Sequence, residues 1–239
     1  MSSYHNAVSD KLVVFLYPSS SVFTVFSKDN VQKFSSDNGS LNTLPDALKE
    51  SIFSTTNTIS VCARTTLVPL SENLYSSYFQ ANYGEEHLEL RHQNTDDFRV
   101  VYESTSATHS LLSEVVNPQE HTDINLMHKY AAAIRHENAL YYWLYEHTIS
   151  LMVWKNGKLL AVNRYTSETK DEVFYYVMLV VEQLELPLDK LYFGCVGSGQ
   201  DHASHKAMFQ NYLPPLQQCS TQSANSTDPV AQFFAECVL

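Results

Sequence analysis

Glycine is scarce in this chain, with six residues in 239. Backbone amides approach phosphate oxygens closely only where side chains are missing, so a phosphate cradle needs several glycines close together. The shortage counts against a Gly-rich nucleotide loop. Basic residues are also few, 15 Lys and Arg against 26 Asp and Glu, and a formal net charge of -11 repels a polyanion. Nucleic acid is therefore not an expected partner. The four cysteines, Cys62, Cys195, Cys219 and Cys237, form no CxxC pair, so neither a zinc site nor a disulfide framework is expected. They read as small buried or edge thiols. No apolar run reaches the roughly 18 to 20 residues of a membrane span. The N-terminus MSSYHNAVSD lacks a basic region followed by an apolar one. The expected location is the cytoplasm, with no membrane span.

What is present is apolar and aromatic: 44% hydrophobic residues, 17% charged, fifteen Tyr and twelve Phe, the composition of an ordered globule. The length suits one large domain or two halves of about 120 residues. KLVVFLY (11–17) and SVFTVFSKD (21–29) read as a hairpin across Pro18-Ser19-Ser20, and NVQKFSSD (30–37) as a possible third strand. LNTLPDALKESIFST (41–55) places Leu44, Leu48 and Ile52 at helical spacing. TISVCARTTLVPL (58–70) reads as one strand ended by Pro69, and SENLYSSYFQANYG (71–84) as a helix stopped by Gly84. HLELRHQ (87–93) and FRVVYES (98–104) alternate as paired strands. Two helices follow, THSLLSEVV (108–116) and one capped by Asp123.

The second half repeats the order. NALYYWLY (138–145), TISLMVWKN (148–156) and KLLAVNRYT (158–166) form a meander, with Asn156-Gly157 as a type I′ turn. A helix from about Thr169 to Leu186 follows, burying Val173, Val177, Val180 or Val181 and Leu184 on one stripe, with Pro187 marking its end. KLYFGCVGSG (190–199) is a buried strand entering a glycine turn, and HASHKAMFQNYL (202–213) a short helix. A polar connector (217–228) precedes a last helix docking through Phe233 and Phe234. Tyr141-Tyr142-Trp143 alternates across a strand, so at least one ring points away from the meander's core side and meets a covering helix or a partner. A meander, a crossover helix and a parallel strand, occurring twice, is the topology of the actin, sugar kinase and heat-shock ATPase superfamily. The expected class is therefore α/β with mixed sheets, an actin-like ATPase (ribonuclease H-like) fold in two similar halves, 1–120 and 121–239.

TTLVPLSENLYSSYF, GKLLAVNRYTSETKDEVFYYVMLVVEQLEL and LYFGCVGSG together resemble the bacterial family catalogued as domain of unknown function 3822. Leu67-Val68-Pro69, Asn163, Tyr165, Asp171 and Tyr175-Tyr176 match its pattern. The resemblance implies an actin-like ATPase fold, similar to the cytoplasmic actin-like components of pilus and secretion machines, and brings no biochemical activity with it.

In active members of that superfamily the turn between the first two strands of each half presents glycine amides to phosphates. Here those turns are YPSSS (17–21) and YEHT (145–148), without glycine, with Pro18 lacking an amide and Glu146 adding negative charge. The best remaining candidate is Gly197-Ser198-Gly199, which leaves a strand and enters a helix at a position resembling the superfamily's adenosine loop. A tight strand-to-helix turn also explains it. Asp201, His202 and His205 form a weak metal trio better read as a solvated helix start, and Cys195 with His202 or His205 a weak nucleophile and base pair. Glu85-Glu86-His87 and Thr95-Asp96-Asp97 read as solvated turns. These features lead to a catalytically silent scaffold or interaction protein with a protein partner, no cofactor and no metal. The alternative is a nucleotide-binding ATPase or small-molecule kinase, with ATP and magnesium held in an atypical phosphate site.

Overall fold

The computed structural model describes residues 10–16, 21–27, 32–38, 45–46, 48, 53–60, 64–71, 75–84, 89–96, 98–104, 113, 118–145, 147–196 and 199–219. The expected helix at 41–55 falls mostly outside these residues, as do the helix at 108–116, the rest of the polar connector and the C-terminal helix with Phe233 and Phe234. Cys62, Cys237, Glu85-Glu86-His87 and Asp97 lie outside them too. The described residues divide into two compact units, one extending to Leu126 and the other beginning at Met127.

In the first unit, β-branched and aromatic residues build β1 (Lys11–Leu16) and β2 (Ser21–Phe26), which pair antiparallel, with β3 (Gln32–Asn38) beyond β2. Pairing of Leu16 with Ser21 leaves residues 17–20 as the connection. β4 (Thr55–Ser60) runs parallel to β1, and β8 (Pro118–Thr122) parallel to β4, completing the order β3-β2-β1-β4-β8. Leu12, Val14, Leu16, Phe23 and Val25 pack with Leu48 and Phe53 on one face.

Between β4 and β8 the chain builds a separate three-stranded sheet, β5 (Thr65–Pro69), β6 (Glu89–Asn94) and β7 (Phe98–Ser104), in the order β5-β7-β6. Helix α1 (Tyr75–Tyr83) buries Phe79 against Val68 and Val101 of that sheet. It ends where Gly84 takes a φ of 72° and donates its N–H to the Gln80 carbonyl. The single strand expected over 58–70 is thus two: β4 pairs parallel with β1, β5 antiparallel with β7, and exposed Arg64 precedes the second. Both pieces favour extended backbone, and periodicity does not reveal which sheet each joins. PQEHT carries no apolar alternation, and β8 is not among the strands expected from the sequence. It lies at the sheet's edge, where a leading proline is tolerated. The small sheet is tied to it by Arg91 of β6, whose Nη1 donates to Glu120 Oε2 of β8 at 2.8 Å.

Helix α2 (Asp123–Ile134) leads into the second unit. Its cap is Thr122 and not Asp123: Thr122 Oγ1 accepts from the Asn125 N–H at 3.1 Å, making Asp123 the first helical residue, where a carboxylate suits the positive helix end.

The second sheet has the order β11-β10-β9-β12-β13. β9 (Ala139–Tyr145), β10 (Thr148–Lys155) and β11 (Lys158–Thr166) form the meander, with Asn156 and Gly157 at φ 54° and 70° in the turn. β12 (Tyr192–Val196) lies parallel to β9, and β13 (Gln217–Gln218), expected as connector, adds two residues parallel to β12. Helices α3 (Lys170–Gln183) and α4 (Gly199–Phe209) cover one face. There Leu140, Tyr142, Ile149, Leu151, Phe193 and Cys195 meet Val173, Val177, Val180, Val181 and Phe209. The Tyr141-Tyr142-Trp143 run resolves accordingly. Tyr142 points into this core, Tyr141 meets Tyr130 of α2 edge-on at 5.9 Å across the other face, and all three rings are buried.

α3 is framed at both ends. Thr169 and Glu172 form a reciprocal capping box. At the other end the Leu186 N–H reaches the Val181 carbonyl and the Glu185 N–H the Glu182 carbonyl, while Lys155 Nζ donates to the Leu184 carbonyl at 2.7 Å. Leu184, half-buried, packs against the same core as the valines and caps this end, and the chain turns before Pro187. This arrangement puts Glu185 in the left-handed region at φ 48° without glycine's freedom. Glu185→Gly should stabilise the protein by about 0.5–1 kcal/mol, the left-handed penalty relieved less the entropy glycine adds to the unfolded chain. A thermal melt no higher than that of the parent would show that the glutamate contributes something glycine lacks.

Candidate functional site

Three places could carry chemistry in this fold: the hairpin turns at the ends of the meanders, the strand-to-helix turn after β12, and a polar cluster on the α2 side of the second sheet.

In the second unit Tyr145 of β9 pairs directly with Thr148 of β10, so only Glu146 and His147 connect the strands. A two-residue turn without glycine offers an anion neither several convergent amides nor room between side chains. In the first unit the connection is the four residues 17–20, which lie outside the described set, as does Glu146.

At the second place, Gly197 and Ser198 lie outside the described residues, and Gly199 opens α4, three residues earlier than the helix expected from 202. The side chains of Asp201 and His202 are likewise not described. His205 is well defined and is no solvated ligand. It is 3% exposed, and its Nδ1 lies 2.9 Å from the Tyr142 hydroxyl in the core. That contact, with the rings of Phe209 and Tyr142 around it, makes His205 a hydrogen-bonded core histidine. Cys195 is buried in the same apolar core, away from the partly exposed setting of a reactive thiol. Among the described residues no group of three or more His, Cys, Asp or Glu gathers to hold a metal ion.

Sequence reading missed the third place. Tyr130 of α2, Tyr141 of β9, Tyr192 of β12 and the Cys219 thiol surround Gly194, and His136 stacks on Tyr192 with ring centres 3.9 Å apart. A Cβ on Gly194 would meet Cys219 Sγ at 2.7 Å, Tyr192 Cε1 at 2.8 Å and Tyr141 Cδ1 at 3.0 Å. The glycine is there so that three side chains can close over the strand. Burial pushes the Tyr192 hydroxyl up to about 12 and those of Tyr130 and Tyr141 further. Burial also holds the His136 imidazole below its usual range. The phenols, already neutral near pH 7 at their ordinary pKa of 10, are held still further from ionisation. Neutral phenols packed ring to ring form a stabilising cluster, not a general base or nucleophile at work. The only sequence signal was the alternation of tyrosines on β9 with a tyrosine-glycine pair on β12.

Two five-stranded mixed sheets, each with an antiparallel meander, parallel strands beyond it and a crossover, define the actin-like ATPase fold. Among solved structures a Bacteroides thetaiotaomicron VPI-5482 protein described as having an actin-like ATPase fold and unknown function matches at TM-score 0.75. It is 13% identical, over 95% of this chain and 96% of that one. The PilM-PilN type IV pilus biogenesis complex gives TM-score 0.50 and 12% identity over 98% and 99% of the two chains. The cytoplasmic domain of EpsL, an inner membrane component of the type II secretion system of Vibrio cholerae, gives 0.49 and 11% over 96% and 94%. No curated protein matches the chain. The chain belongs to the family described as "Protein of unknown function (DUF3822)", which matches residues 43–216.

Two outcomes follow from the tyrosine cluster. Gly194→Ala should cost about 1–3 kcal/mol in chemical denaturation, because the added methyl overpacks a closed seam; an unchanged midpoint would mean that Tyr192 and Cys219 move aside freely. Alkaline pH should also destabilise. Folded Tyr192, with a pKa of about 12 against an ordinary 10, keeps its proton while the unfolded chain loses it, so its contribution is full below pH 10 and declines as pH rises through 12. Tyrosinate absorbance should show these phenols titrating last, and stability independent of pH between 9 and 11.5 would contradict it.

Proposed function

We propose that this protein is a catalytically silent member of the actin-like ATPase fold, an interaction or scaffold component working in the bacterial cytosol through contacts with a protein partner. The observation that carries this reading is the Tyr145–Thr148 pairing, which closes the second hairpin in two residues and leaves Glu146-His147 where active members of the superfamily present glycine amides. Pro18 in the first hairpin connection removes a further amide. Glycines elsewhere have other duties: Gly84 and Gly157 serve turns at positive φ, and Gly194 serves packing. No helix among the described residues is long and apolar enough to cross a membrane. The pilus protein of similar fold is named for a complex with a second protein, which agrees with a role through partners.

The ATPase or small-molecule kinase reading draws on one feature, the Gly197-Ser198-Gly199 turn into α4. Calorimetric titration with ATP and magnesium separates the two. The expected outcome is binding weaker than millimolar, less than about 4 kcal/mol, and no measurable hydrolysis. Micromolar affinity lost in Gly197→Val would overturn the silent reading and make this an enzyme.

A further inference from the structure

We infer that the last turn of α1 is a built-in stop on the edge of β5: the Tyr83 hydroxyl takes the backbone positions through which a second copy of the chain would pair its own β5. The inference goes beyond the interaction reading above and does not depend on it.

Among the described residues β5 pairs with β7 alone, which makes it an edge of the small sheet. One bond fixes the direction of its backbone groups. The Arg64 carbonyl accepts from the Glu103 N–H of β7 at 3.1 Å, and in an antiparallel ladder the groups of alternate residues point the same way. Arg64, Thr66 and Val68 therefore face β7, while Thr65, Leu67 and Pro69 face away from it.

Two of these outward residues are closed to a further strand. Tyr83 Oη accepts from the Thr65 N–H at 3.2 Å and donates to the Thr65 carbonyl at 2.8 Å, the two bonds that a neighbouring strand would make with that residue. Pro69 has no N–H to offer. Leu67 lies between them with an N–H and a carbonyl on that side. The phenol is held from several directions: the Phe79 ring is centred 4.7 Å from its own, the Arg64 guanidinium stands 6.0 Å over it, and beside it Asn82 Nδ2 donates to Thr66 Oγ1. These contacts matter because Phe79 is the buried residue of α1, so the last turn rests on them more than on burial.

The strand itself names what is kept out. TTLVP is uncharged and rich in β-branched residues, an edge suited to pairing with its own copy. Two such strands laid antiparallel about Leu67 would set Thr65 against Pro69 and Thr66 against Val68, with no like charges opposed. The two Leu67 residues would exchange both their bonds, and each Thr65 N–H would meet a Pro69 carbonyl. Thr65 therefore supplies the only donor at either end of that pairing, and it is the donor that Tyr83 occupies.

Amide exchange and sedimentation on the full chain test this. Tyr83→Phe keeps a ring beside Phe79 and removes the hydroxyl, so the Thr65 amide should exchange about fivefold faster with circular dichroism unchanged. Tyr83→Ala clears the ring as well and should add a concentration-dependent dimerisation step to the state that the parent holds. Leu67→Pro removes a donor that faces away from β7, so combined with Tyr83→Ala it should abolish that step. Should Tyr83→Ala not fold, Tyr83→Leu, which keeps an apolar contact with Phe79 and cannot bond Thr65, replaces it in the same measurement. An unchanged Thr65 exchange rate in Tyr83→Phe would overturn the inference. So would a variant lacking the phenol that stays in the parent's state at millimolar concentration, or a dimer that survives Leu67→Pro, which would place the contact on another surface.

Discussion

Strand β9 lies in the middle of its sheet with both faces dry, and that constraint organises the second unit. ALYYWLY cannot leave either face in water: Leu140 and Tyr142 require α3 and α4, and Tyr141 requires α2. Because large rings occupy both faces, neighbours must be shaped to them. The missing side chain at Gly194 lets Cys219, Tyr192 and Tyr141 close together, and His205 lies inside with its Nδ1 in hydrogen-bond reach of the buried Tyr142 hydroxyl on the other face. A buried hydroxyl without a partner is costly, so the Tyr142–His205 pair is a consequence of putting Tyr142 in the core. It explains why a histidine that invites a catalytic or metal role in the sequence lies in the core.

The first unit meets a different problem. β4 and β8 are neighbours in its sheet, but the chain between them builds a small sheet whose own core of Val68, Phe79 and Val101 is slight. The pair formed by Arg91 and Glu120 fastens that insertion to the edge strand, and Glu120, only 9% exposed, also lies beside the Tyr102 hydroxyl, whose pKa burial and this carboxylate push up. A nearly buried carboxylate is tolerable there because the guanidinium compensates it. Tyr83 adds a second fastening within the insertion, its hydroxyl donating to the Thr65 carbonyl at 2.8 Å.

Among the described residues, Tyr130, Tyr141, Tyr142, Tyr192, His136, His205, Cys195 and Cys219 take part in packing contacts. The phenols, the imidazoles of His136 and His205 and the two described thiols hold sheets to helices. On β11 and α3, Tyr165 and Tyr176 stack against each other and pack on the core, with Tyr175 exposed beside them. An actin-like ATPase fold does not by itself dictate function.

Much of the fold was legible in the chain because it follows from short-range rules. The β-branched and aromatic runs of β1, β2, β9 and β10, the Asn156-Gly157 turn, the Thr169 cap with the valine stripe of α3, and Gly84 at the end of α1 are each decided within a few residues by backbone sterics and apolar period. The resemblance to the family rests on such stretches as well. What tertiary structure alone decided is pairing and company. PQEHT becomes β8, and Gln217-Gln218 becomes β13, because a neighbouring edge strand supplies the hydrogen bonds, and nothing local in those residues asks for it. The stretch from 58 to 70 divides between two sheets because its halves find partners far apart in sequence. His205 is a core residue, and Tyr130, Tyr141, Tyr192 and Cys219 form one cluster around Gly194, only because crossovers bring residues dozens of positions apart onto the same face. Such juxtapositions have no signature in a one-dimensional pattern, since hydrophobic period reports which face is buried but not what it is buried against.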